Sequence, residues 1–324
     1  MATKFTEKVF ADTYKDDYRD SNNYHRILFN SGRALQAREL TQSQTIQQKE
    51  VERFARNIFK EGASINPGGP SINTRYEFIK LNTTTNNLPS DTSLIVGDEF
   101  TGQSSAFKAK ILEVVAATAT DPATIYVAYV DTLSASSFAS PNTMTPGEDI
   151  VGTNSGVTLT VQTTNTTANP ATGFGTRFSI ERGDFFTQGH FVFCEKQSII
   201  LSKYGQQPDA TVGFLVTQDI VTAADSELLY DNQGATPNTS APGADRYRIK
   251  MTLTTQDLVD SDQNFVYYAR IRNGVVFDVV TGDDGFAKIE DRMAKRTSDI
   301  NGDFFINPFI VNYEDDSNDA NLIA

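Results

Sequence analysis

Two histidines, one cysteine, one conspicuous arginine and several acidic clusters are the residues whose chemistry could go beyond packing. His25 lies in a polar, tyrosine-studded stretch, whereas His190 follows a glycine and opens the apolar run His190-Phe191-Val192-Phe193-Cys194. Their settings are unlike and distant, and a hydrogen-bonded structural histidine accounts for His190. Cys194 is the only cysteine, which excludes an intrachain disulfide and fits a small buried hydrophobe. Asp260-Ser261-Asp262-Gln263-Asn264 begins like a calcium loop, but Phe265 stands where that turn requires glycine and no well-placed glutamate follows. Asp283-Asp284-Gly285 and Asp299-Ile300-Asn301-Gly302-Asp303 suit turns better than cations. There is no HExxH, CxxC, GxSxG or glycine-rich phosphate loop. Two distant acids could still meet as a glycosidase pair, although a chain without tryptophan lacks the large indole that stacks on sugar rings. Arg246 ends the turn Ala241-Pro242-Gly243-Ala244-Asp245, where a guanidinium could clamp a carboxylate or carbonyls of a neighbour. The sequence thus predicts no catalytic residue, no metal site and no cofactor.

The element that organises the rest is a predicted helix over 33–61. Neither proline nor glycine interrupts it, and Gln, Glu, Arg, Ala and Leu dominate. Steps of three and four from Ala37 reach Leu40, Gln44, Gln47, Val51, Phe54 and Ile58, a heptad seam about three repeats long. A glutamine can pair with a glutamine through its own donor and acceptor, so Gln44 and Gln47 could set register and oligomer state. The plainer reading packs Leu40, Val51, Phe54 and Ile58 on the chain's own domain. Ile46 and Phe59 fall off the seam and blur it. The expected oligomerisation residues are Leu40, Gln44, Gln47, Val51, Phe54 and Ile58, with the chain its own partner as a dimer or trimer.

Bulk composition narrows the class. The 324 residues suffice for a sizeable core, and 28 basic against 41 acidic residues give a net charge of −13. Such a balance argues against a nucleic-acid partner and against anionic membrane surfaces. The N-terminus carries no apolar core of signal-peptide length, and nothing approaches about 20 consecutive apolar residues, so no membrane insertion is expected. Folding in a reducing cytoplasm is expected.

Taken in order, residues 1–32 form an expected extended arm with Tyr14, Tyr18 and Tyr24, docking on a neighbour or on the chain's own helix. Asn66-Pro67-Gly68-Gly69-Pro70 makes a turn, and Arg75 to Leu81 a strand. Residues 88–168 carry an internal repeat. Val96-Gly97-Asp98-Glu99-Phe100-Thr101-Gly102 with Ser105 and Phe107 to Ile111 recurs fifty residues later. The second copy is Pro146-Gly147-Glu148-Asp149-Ile150-Val151-Gly152 with Ser155 and Val157 to Val161. Two such halves would pair into a small barrel or sandwich, unless they are unrelated hairpins sharing turn chemistry. Period-two segments resume after the Thr/Asn linker Thr163 to Thr172. Among them are Tyr247 to Leu253 and the hairpin Phe265 to Val280 around Asn273-Gly274. A short helix over 286–295, a strand from 301 and an acidic tail, 313–324, complete the expectation. The fold class is therefore mainly β with one long N-terminal helix: a β-rich main domain, 62–87 and 169–312, carrying the inserted module.

Several phrases resemble a domain of unknown function at the N-terminal end of tailed-phage structural proteins, chiefly cyanophage tail-fibre and baseplate components. The most distinctive are Gly32-Arg33-Ala34-Leu35-Gln36-Ala37-Arg38-Glu39-Leu40 and Ala241-Pro242-Gly243-Ala244-Asp245-Arg246. Asn23 to Phe29, Asn66 to Gly69, Gly183 to Phe191 and Arg296 to Phe304 with Pro308-Phe309 join them, from about residue 20 to 312. The resemblance implies a virion protein of the viral tail without enzymatic activity, assembled in the host cytoplasm, whose partners are other tail, baseplate or fibre proteins. Relatives often continue into a long fibre, whereas this chain ends soon after the last matching phrase. A baseplate or fibre-attachment role is therefore expected, with a receptor- or glycan-binding module as the alternative.

Overall fold

A computed structural model of the chain describes residues 7–66, 68–84, 87–130, 143–231, 236, 238–260, 264–280, 292–297 and 299–300. Two helices come first: α1 (Glu7–Tyr14) and α2 (Ala37–Ala55). Strands β1 (Pro70–Lys80), β2 (Glu99–Gly102), β3 (Lys108–Val115), β4 (Thr124–Tyr129), β5 (Asp149–Gly152) and β6 (Thr158–Thr160) follow. Then come β7 (Thr172–Ile180), β8 (Gly183–Thr187), β9 (His190–Cys194), β10 (Gln197–Ser202) and β11 (Ala210–Val221). The series closes with β12 (Tyr230–Asp231), β13 (Asn238–Pro242), β14 (Arg246–Thr255), β15 (Phe265–Arg272) and β16 (Val275–Val279). The protein is mainly β, as its composition predicts. Residues 1–282 form one compact unit and 283–324 another. In the second, 292–297 and 299–300 are helical. The rest of the predicted 286–295 helix, the strand from 301 and the acidic tail lie outside the described residues.

An eight-stranded antiparallel sheet runs in the order β10-β7-β1-β4-β3-β2-β5-β6, and a four-stranded one in the order β14-β11-β15-β16. Alternation builds both. Lys108-Ala109-Lys110-Ile111 in β3 runs exposed, buried, exposed, buried, and Lys250 to Leu253 in β14 does the same. β1 is the hub. Ile72 packs on a core made by β7, β8, β9, β11, β14 and β15, while Tyr76 and Phe78 form a small aromatic core with Tyr126 of β4. Ile79 and the adjacent Leu81 enter a third core, built chiefly from β2 to β6. A bulge between Asn73 and Tyr76 lets one strand serve these different layers. At its far end the first sheet returns on itself: Leu81 bridges Val161, and Gln162 N–H donates to Lys80 O at 2.8 Å.

The helix is shorter than the uninterrupted sequence predicts, for two physical reasons. At its start Gln36 is extended (φ −101°, ψ 141°), and its N–H is capped by Glu39 Oε2 at 3.0 Å. At its end the chain must turn to reach β8: Gly62 takes φ +85° and its N–H donates to Phe186 O at 2.8 Å. A Cβ at Gly62 would lie 2.2 Å from Tyr267 O, so only glycine fits. Phe59 leaves the helix to pack edge-on against Phe191 at 5.7 Å.

Candidate functional site

The internal repeat folds as a reciprocal exchange. β2 and β5 pair antiparallel, Phe100 opposite Gly152 and Gly102 opposite Ile150, so a local two-fold axis passes between Thr101 and Val151. Across that axis each copy completes the other. Buried Asp98 of the first accepts from the N–H groups of Asn154 (3.1 Å) and Ser155 (2.8 Å) in the second copy's loop. Buried Glu148 of the second accepts from the N–H groups of Ser104 and Ser105, each at 2.9 Å, and from the Ser105 hydroxyl at 2.8 Å. Its other partner is the N–H of Thr145. Burial by itself would raise the Asp98 carboxyl; the hydrogen bonds from Ser155 and Asn154 outweigh it and hold the pKa at about 2. Glycine is required at both loop entries. A Cβ at Gly102 would meet Ser105 Oγ at 2.3 Å and Glu148 Oε2 at 2.8 Å, and one at Gly152 would meet Ser155 Oγ at 2.2 Å and Asp98 Oδ2 at 2.7 Å. These acids are saturated by donors from the protein itself, so the repeat is built to hold its own loops.

α2 has two unlike faces. Ile46 and Ala55 are buried. The seam is largely uncovered: Leu40 is 49% exposed, Val51 43% and Phe54 68%, Gln47 is exposed, and Gln44, exposed too, borders a cavity beside the helix. The plainer expectation, a helix packed inward through Leu40, Val51 and Phe54, is thus not met, and the large buried side chain of the helix is Ile46. Ile58 sits beyond the last helical turn and is half-buried, so it does not continue the seam. The preceding chain is tied to α2 between residues 16 and 25. Asp17 pairs with Arg38 (3.3 Å), Asp20 with Arg53 (3.0 Å), and His25 Nδ1 lies 3.5 Å from Glu50. Beyond it Leu28, Phe29 and Leu35 are exposed.

A cavity of about 360 Å³ opens between α1, α2, the β8–β9 turn and the β11–β14 pair. Five segments scattered from Phe10 to Tyr247 line it, with no shared motif, so sequence reasoning had no signal by which to find it. It includes His190, whose ring centroid lies 5.9 Å from that of Tyr247. His25 is on the surface beside α2, far from a second histidine in role as in sequence. Cys194 is buried and free; burial raises its thiol pKa although Gln197 donates to Sγ at 3.0 Å. Arg246 is exposed and, among the described residues, donates to carbonyls of its own turn, Ala244 O at 2.6 Å and Asp245 O at 3.3 Å. The long-range grip at that turn is made instead by Asp245, which accepts from the Tyr14 hydroxyl at 2.7 Å. Of the acidic loops, 261–263, 283–285 and 301–303 lie outside the described residues. Among the described residues no group of three or more His, Cys, Asp or Glu is placed to hold a metal, and no helix is long and apolar enough to cross a membrane.

Comparison with known proteins gives one match. No curated protein and no solved structure matches the chain. The profile described as Domain of unknown function (DUF4815) matches residues 12–85 and 164–323, passing over 86–163. The matched stretches cover well over half of the sequence, and the chain therefore belongs to the DUF4815 family.

Proposed function

We propose that this protein is a structural component of a bacteriophage tail, in the baseplate or at the attachment of a tail fibre, acting through protein–protein assembly rather than catalysis. The shared phrases at Gly32–Leu40 and Ala241–Arg246 bring the class of protein. The observation that carries the assembly role is the uncovered seam of α2, where apolar Leu40, Val51 and Phe54 flank polar Gln44 and Gln47. Spaced in heptads and left in water, such a face is the half of a coiled-coil contact that a second copy completes. In this reading the partner is the same chain, as a dimer or trimer, with other tail proteins binding around it in the virion.

The same reading makes 88–168 a small barrel inserted in the main domain. Two observations support it: the family match passes over 86–163, and the Leu81–Val161 bridge brings β6 back to the end of β1. The barrel borrows a wall, since Ile79, Leu81 and Ala171 from outside the segment share its core.

Sedimentation equilibrium of the purified chain tests the assembly role. Wild type should sediment as a dimer or trimer, and Val51→Asp combined with Phe54→Asp should reduce it to a monomer that still melts cooperatively. A monomeric wild type at high concentration, or an unchanged mass in the double variant, overturns the reading. Antibody labelling of the tail ends of phage particles tests the location.

A further inference from the structure

The cavity beside α2 has walls of two kinds. The rings of Phe10, Tyr18, His190 and Tyr247 give flat apolar surface, with Phe10 edge-on to Tyr247 at 5.4 Å. Between them stand the amides of Gln44, Gln48, Gln188 and Gln218. Gln48 Nε2 donates to Gly189 O at 3.0 Å, and Gln188 and Gln218 bond each other, so these amides are held in place. The charged groups of the lining are already matched. Glu52 is bridged by Lys49 at 3.2 Å and by Arg56 at 2.7 Å, and Asp16 accepts from Tyr18 N–H at 3.1 Å and from the Thr45 hydroxyl.

That lining discriminates among ligand classes. An anion would meet two carboxylates with only Lys49 to offset them. A cation would have to break the pairs that satisfy Asp16 and Glu52. A purely apolar ligand would cover the Gln44 amide and the unused donor and acceptor of Gln48, at a cost of about 1–3 kcal/mol each. A neutral ring bearing hydroxyls fits both walls. Each hydroxyl donates and accepts, as each amide does, and the C–H face of the ring packs on an aromatic side chain. The volume falls in the range of small-ligand sites. We propose that this cavity binds a small neutral saccharide, held by the glutamine amides and stacked on the Tyr and His rings. Tyrosine and histidine here take the role that tryptophan, absent from the chain, would otherwise fill. The site lies outside 88–168, and of its lining Gln44 alone is shared with the seam proposed above.

Calorimetric titration of the full chain with glucose, galactose, N-acetylglucosamine and maltose tests it, with inorganic phosphate and betaine as charged controls. At least one sugar should bind at millimolar concentration or below, and the controls should not. Thr41→Trp, which fills the cavity from α2, and Gln48→Leu, which removes an amide of like size, should each weaken binding about tenfold or more. Thermal melting confirms that both variants fold. Silence from every sugar, binding of phosphate or betaine in their place, or sugar affinities untouched by both folded variants overturns the proposal. The readout is binding in whatever assembly state the chain adopts, so such a failure leaves the oligomer question where it stood.

Discussion

Asp98 and Glu148 show how one position of a repeat can keep its task while changing its side chain. Both acids are buried, both stand after a glycine, and both accept backbone N–H bonds from the opposite loop. Asp98→Asn replaces an acceptor-only group by an amide that turns a donor toward those N–H groups. It should destabilise the chain by about 2 kcal/mol, read from the shift of the denaturation midpoint. The acid response has a definite sign. The folded pKa of Asp98, about 2, lies below its usual 3.8, so its stabilisation is complete above about pH 4 and fades as pH falls toward 2. Melting curves stepped through that window should steepen in wild type and flatten in Asp98→Asn; matching acid limbs would remove Asp98 from the cause. Arg246 offers the contrast. Among the described residues its exposed guanidinium bonds to its own turn, so Arg246→Ala should stay within about 0.5 kcal/mol of wild type. The sequence announced the repeat through its fifty-residue spacing. It could not announce the exchange, because spacing identifies equivalent residues and not which copy's loop each acid faces.

At the scale of elements, α2 divides labour between its faces, and the division is testable by substitution. Ile46 is its one large buried side chain, so Ile46→Ala should cost about 3 kcal/mol, whereas Val51→Ala should leave the melting of the isolated chain unmoved. Equal effects from the two would mean that the seam is packed after all. The heptad spacing was legible because step counts survive any context. Which stripe turned inward was not, since Ile46 and Val51 are equally apolar and step counts alone do not choose between them. The arm before α2 is anchored by buried Asp16 and Tyr18 and, besides them, by exposed ion pairs, each worth well under about 1 kcal/mol and screened by salt. Trypsin should therefore cut at Arg26 and Arg33 faster as salt is raised, with the strands remaining intact. A salt-independent rate would show that something other than these pairs restrains it.

Within the compact unit 1–282 the repeat segment meets the other strands chiefly at β1, which pairs with β4 on one side and β7 on the other. The core among β7, β8, β9, β11, β14 and β15 includes no residue of 88–168. Yet Ile79 and Leu81 are covered by that segment, and Tyr126 stacks on Tyr76 at 4.7 Å. Deleting 88–168 should leave the main domain cooperative but melting lower, and Ile79→Thr with Leu81→Thr in the shortened chain should restore solubility lost to the exposed strand. Loss of all cooperativity would show that the module cannot be separated. Alkali acts on the same junction. Burial raises the hydroxyl pKa values of Tyr76, Tyr126 and Tyr129 above their usual 10. Stability is thus complete below about pH 10 and declines as pH climbs beyond it, with unfolding and tyrosinate absorbance rising together. The two-fold exchange between the repeats has one further consequence. A half that must borrow its loop-closing acid is, on its own, an unfinished object. A chain carrying a single copy would find its missing half only in another chain, and two such chains meeting would rebuild the same closed pair; the duplication is a dimer written as one polypeptide.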